Sequence, residues 1–182
     1  MNPSLPLEPE TFLFEVSGRI TGEKFINVRE LAQFISLFRA AYAYGTRLPN
    51  VSTEYLRENS SKIVRRIETE FARIPSSQLI SDLFFTDLGQ NELYVRDLSH
   101  ESPLRGAFVG LAAALTLAVI ISGGEIDIST QRVKVSLPPL GAGIESLQKA
   151  FHIYAYPRAE SRSAASVSPR IYDVIPEVPN EP

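Results

Sequence analysis

Cysteine and tryptophan are absent from this chain, methionine occurs once and histidine twice. Without cysteine there is no disulfide, no thiol nucleophile and no thiolate metal ligand. That composition suits a reducing compartment, and the cytoplasm is the expected location. His100 and His152 each lack a second histidine at helical spacing with a carboxylate, so no metal or other cofactor is expected. His100 stands in the sequence SHES without a G-x-S-x-G elbow, which makes it a turn or capping residue rather than a general base. Glu125 and Asp127 lie two apart on a strand and share one face, the usual pattern of a solvated edge rather than an acid/base pair. No catalytic set is visible, so the chain is expected not to be an enzyme.

An excess of one charge is also lacking. Eighteen Lys and Arg stand against 21 Asp and Glu, a net charge of −3. A nucleic-acid-binding domain usually carries a basic face, so no nucleic-acid partner is expected. The densest basic stretch, Lys62, Arg65, Arg66 and Arg73, is interleaved with Glu68 and Glu70 and reads as a solvated helix face. The N-terminus has three prolines in ten residues and no basic segment followed by an apolar one, so it does not read as a secretory signal.

What the chain does have is an uncharged run of 19 residues, Gly106 to Gly124, between Arg105 and Glu125. Ser102 and Pro103 suit a helix start and Gly123-Gly124 a helix end, which predicts one apolar helix over 103–122. Gly106, Gly110, Ala114, Ala118 and Ser122 recur every fourth residue and would form a ridge of small side chains. In a soluble domain such a ridge lets another backbone lie close; in a bilayer it is an association face. The two alternatives are a core helix and an inner-membrane span over 104–122.

Elsewhere the periodicity predicts a strand over 11–18 and a helix from Asn27 to Tyr44 buried on more than one side. It also predicts a helix near 53–73, interruptible at Asn59-Ser60-Ser61 and with Ile63, Ile67, Phe71 and Ile74 on one stripe of its second half, a short helix near 79–84 and a strand over 92–99. A hairpin of 125–129 with 132–137 and a helix from Ile144 to about Ala155 complete the pattern. Gly141-Ala142-Gly143 resembles a phosphate turn only in part, since a third glycine and a P-loop lysine are missing. The expected architecture is α+β: a small, mostly antiparallel sheet of about four strands packed with helices, the apolar helix 103–122 at its centre.

Residues 1–10 read as a flexible arm, 11–156 as a single domain and 157–182 as a disordered tail rich in Ser, Ala and Pro. Inside the tail, Ile171, Tyr172, Val174 and Ile175 form an apolar cluster that either packs back on the domain or docks on a partner. The function these features fit is a non-enzymatic interaction module that binds a protein partner or itself. The alternative is a membrane-associated, oligomerising effector inserted through 104–122.

Overall fold

The computed structural model describes residues 10–16, 26–48, 51–99, 103–129 and 132–153. In chain order these form β1 (Glu10–Val16), α1 (Val28–Thr46), α2 (Thr53–Glu58), α3 (Ser60–Phe71), α4 (Ser76–Leu79), a π-helical turn (Ile80–Phe84) and a 3-10 turn (Gly89–Asn91). Then follow β2 (Tyr94–Arg96), β3 (Leu104–Gly110), α5 (Ala112–Ile121), β4 (Glu125–Ser129), β5 (Arg132–Ser136) and α6 (Leu140–Phe151). The expected arm, apart from Glu10, and the expected tail lie outside the described residues.

The α+β class is as expected, but the sheet is larger and mixed. Five strands lie in the order β2-β3-β1-β5-β4, with β1 parallel to β5 and the other three ladders antiparallel. The first strand of the chain is thus the middle strand of the sheet.

The extra strand corrects the apolar helix 103–122. Leu104–Gly110 is β3, and only Ala112–Ile121 is helical. Two glycines four apart cost a helix about 1 kcal/mol each relative to alanine, while both suit a strand that aromatic rings approach closely. An ideal Cβ on Gly106 would lie 2.9 Å from the Phe14 ring, and one on Gly110 would lie 2.7 Å from the Tyr42 hydroxyl. The strand's alternation is hidden because outward Ala107 and Val109 are as apolar as inward Leu104 and Phe108. α5 rises only about 15 Å, half the roughly 30 Å of a bilayer core. Among the described residues no helix is long and apolar enough to cross a membrane.

Alternation along β1 puts Phe12, Phe14 and Val16 inward and Thr11, Leu13 and Glu15 outward. α1 covers the inward face. The ring of Phe108 on β3 lies between those of Phe14 and Phe38, at centroid distances of 4.2 and 4.5 Å. From Leu37 to Ala43 only Arg39 on α1 is not buried, so this helix is enclosed by its neighbours. α1 begins at Asn27, whose side chain accepts the Arg29 N–H at 2.9 Å.

Small residues let the other helices close on α1. A Cβ on Gly45 would lie 2.7 Å from the Cα of Ala114 on α5, and one on Gly143 of α6 would lie 2.7 Å from the Phe34 ring. α6 starts four residues before the expected Ile144, directly after Pro138-Pro139, so Gly141-Ala142-Gly143 is helix rather than a phosphate turn. It ends at His152 in the left-handed conformation, φ 54°. α3 packs behind, with Phe71 stacked on Phe151 at 5.4 Å.

Candidate functional site

The strand register assembles a surface that no single segment displays. Residues directly opposite one another in a sheet share a face. Arg96, Ala107, Leu13, Lys134 and Asp127 therefore form one row across all five strands on the face away from α1. The next row holds Arg105, Glu15, Ser136 and Glu125, and Tyr94, Val109 and Thr11 lie on the other side.

Charge on this face is divided by position. Arg96 and Arg105 lie toward the β2 edge, Glu125 and Asp127 on the β4 edge, and Lys134 and Glu15 between them. Arg105 Nε lies 3.3 Å from Glu15 Oε2 across the β1–β3 ladder. Leu13 and Val109, both half-buried, and Ala107, which its neighbours leave 2% exposed, make the middle apolar, and Tyr94 beside them is 55% exposed.

The β2 edge is short for a local reason. Asp97 takes φ 53°, and pairing resumes at Ser99, whose N–H donates to Arg105 O at 2.7 Å. The Arg105 N–H returns a bond to Ser99 Oγ at 2.9 Å. Asp97 and Leu98 thus stand opposite the single residue Gly106, a β-bulge, which twists an edge and ends its pairing. The expected strand 92–99 is reduced to Tyr94–Arg96, the bulge stopping it at one end and the 3-10 turn capped by Glu92 at the other.

A second feature is a cleft of about 320 Å³ between the end of α1, α2 and α3. Leu48, Val51, Leu56, Ile63 and Ile67 give it apolar walls. Its rim is polar. The Tyr44 hydroxyl donates to Glu70 Oε2 at 3.0 Å, and Arg66 Nε lies 3.5 Å from Glu70 Oε1. Burial, and then the bond to Glu70, push the Tyr44 hydroxyl up to about 12. Lys62 stands on the same rim with no carboxylate within ion-pair distance among the described residues.

A third cluster is structural. Arg39 Nε and Nη2 donate to the two oxygens of Glu92 at 2.8 and 2.5 Å, and Nη1 and Nη2 reach Phe84 O and Thr86 O. The forked bond from Arg39 holds the Glu92 carboxyl below the usual range, and the same bond raises the guanidinium. Beside it, the Tyr42 hydroxyl donates to Asn91 O at 2.8 Å and accepts the Leu111 N–H at 3.0 Å. Burial raises its pKa. Together these bonds fasten the segment 84–93 and the β3–α5 junction to α1. Glu92 Oε1 also accepts the Leu93 N–H at 3.0 Å, so both members of the pair hold backbone as well as each other.

The ridge residues are divided between two elements. Gly106 and Gly110 lie in β3, Ala114 and Ala118 in α5, and Ser122 caps α5; all five are buried inside the domain. Gly106 faces Phe14, Gly110 faces Tyr42 and Ala114 meets Gly45, so the close approach such residues permit is made to α1 and β1. Ser122 Oγ donates to Val119 O at 2.8 Å. The tail residues Ile171, Tyr172, Val174 and Ile175, and His100, lie outside the described residues. His152 Nε2 lies 2.9 Å from Glu68 O, joining α6 to α3. Among the described residues no group of three or more His, Asp or Glu could hold a metal.

Sequence reading missed both surfaces. The helix expected near 53–73 is divided at Asn59, within the expected interruption, but that α2 folds against Ile63 and Ile67 to leave a cleft does not follow from the pattern. The charged rows exist only once the strand register is known. Comparison with protein families, with curated proteins and with solved structures gave no match.

Proposed function

We propose that this chain is a non-enzymatic, cytoplasmic interaction module that associates with a second copy of itself through the open face of its sheet. The observation that supports this reading is the lateral division of charge on that face. A two-fold axis parallel to β1 lays one sheet on the other with the edges exchanged. Arg96 of one copy then meets Asp127 of the other, Arg105 meets Ser136 one strand from Glu125, and Leu13 meets Leu13 near the axis, where Glu15 also faces Glu15 with each held by its own Arg105. A two-fold interface must be self-complementary in this way. Three cations and three anions leave the face neutral, so stacking two copies brings no net repulsion.

Size sets the strength. Five strands about 4.8 Å apart and three to seven residues long give a face about 20 Å on a side, or roughly 400 Å². A stable interface buries about 800 Å² per partner, so the association is weak, in the micromolar range. Ile171, Tyr172, Val174 and Ile175 belong to the same proposal as a second contact segment for a protein partner.

Sedimentation velocity from about 1 to 200 µM tests the reading. The wild type should pass from monomer to dimer in that range. Asp127→Arg should remain monomeric, because it sets Arg against Arg96, and Arg96→Glu with Asp127→Arg should restore the dimer. A wild type that is monomeric at every concentration overturns the proposal, as does a dimer indifferent to Asp127→Arg.

A further inference from the structure

The cleft between α1, α2 and α3 is remote from the sheet face, and its chemistry is different. Five aliphatic side chains line it, and Leu56 and Ile67 among them are 2% and 3% exposed. Those walls favour an apolar body, and the rest of the lining, Tyr44, Tyr55, Asn59, Lys62, Arg66 and Glu70, supplies polar groups for a head. The volume of about 320 Å³ equals about ten water molecules at roughly 30 Å³ each. It sits at the low end of small-molecule pockets and admits a ligand of about a dozen non-hydrogen atoms.

The rim decides the charge of that ligand. Glu70 carries the only negative charge among the residues lining the cleft, and it is already engaged by the Tyr44 hydroxyl at 3.0 Å and by Arg66 at 3.5 Å. Lys62, one helical turn before Arg66, has no carboxylate within ion-pair distance among the described residues. Ile63 follows Lys62 in sequence and lines the wall, so a cation stands beside the apolar surface at the mouth. An anionic head there would find an ammonium while its tail stays on the wall. A cationic head would meet Lys62 and Arg66 instead.

We infer that this cleft binds a small amphipathic carboxylate, with the tail against Leu48, Val51, Leu56, Ile63 and Ile67 and the carboxylate at Lys62. Arg66 is a second donor to the same head if Glu70 releases it. Tyr44 is not a donor to the ligand, since its proton is directed to Glu70.

The test uses the full chain and three probes with ten-carbon chains: decanoate and decyltrimethylammonium below their micelle concentrations, and decanol below its solubility limit. It is run in the wild type and in Asp127→Arg, so that sheet-face association does not contribute. Decanoate should raise the melting temperature saturably by about 5 °C in both backgrounds. Decanol should bind more weakly and the cation not at all. Lys62→Glu, on an exposed site that should not disturb folding, should weaken decanoate about tenfold and leave decanol unchanged. Leu48→Gln should weaken decanoate and decanol together.

The inference fails if no probe gives a saturable shift. It also fails if decanol matches decanoate and Lys62→Glu changes neither, which would leave an apolar notch without anion selectivity. Protection that depends on protein concentration and not on decanoate would make the occupant a protein segment, and that too overturns it. None of these outcomes bears on the Asp127→Arg result, so the two proposals stand or fall separately.

Discussion

At the scale of residues, the most constrained polar pair is Arg39 with Glu92. Their side chains are 26% and 27% exposed, partly removed from water, and the guanidinium also holds two backbone carbonyls. A charged hydrogen bond of this kind is worth about 1.5–3 kcal/mol, and only arginine supplies the fork. Arg39→Lys should therefore destabilise the fold by about 2 kcal/mol in chemical denaturation. The pH dependence has a definite sign. The folded Glu92 carboxyl lies below its ordinary value of 4.5, so its stabilisation is complete above that value and is lost as pH falls through the folded pKa. The stability gap between wild type and Glu92→Gln should be constant from pH 8 to pH 5 and shrink below about 4.5. A gap that persists undiminished at pH 3 would show that the carboxylate charge is not what Arg39 needs.

At the scale of elements, the informative contrast is between α1 and the run 104–121. α1 was legible because its capping Asn27 and its apolar arc agree on one helix, which runs two residues past the expected Tyr44. The run 104–121 was not, because outward positions on β3 are alanine and valine and no charge after Arg105 marks the face. The distinction lies in partners far away in sequence: Phe14 needs Gly106, and Tyr42 needs Gly110. Gly143 on α6 offers a clean measure of such packing. Alanine there gains about 1 kcal/mol of helix propensity over glycine but brings a Cβ to 2.7 Å from the Phe34 ring. Overpacking a core costs about 1–3 kcal/mol, so the clash wins. Gly143→Ala should lower stability by about 1–2 kcal/mol. Gly143→Ala with Phe34→Leu should lose less than the sum of the two single changes, because the smaller side chain removes the collision. Additive losses would mean that Gly143 is constrained by something other than Phe34.

At the scale of the whole molecule, the topology makes the fold depend on its last third. β1 opens the described chain yet sits in the middle of the sheet, with β3 on one side and β5 on the other. Its partners begin at Leu104 and Arg132, so closing either ladder orders a long intervening loop before any pairing is gained. Only the β2–β3 and β4–β5 ladders join strands adjacent in sequence. Such long-range pairing predicts refolding in milliseconds to seconds rather than microseconds. It also predicts that a chain ending at Ser129 does not fold. Removing β5 would bare one whole edge of the central strand, and removing α6 would uncover Phe34 and Phe71, which meet Gly143 and Phe151. Such an edge pairs with other chains. The shortened chain should show no cooperative thermal transition and should aggregate, while the full chain unfolds in one step. A cooperative transition in the shortened chain would mean that β1, α1, β3 and α5 form a self-sufficient unit, and that β5 and α6 are additions to it rather than parts of one core.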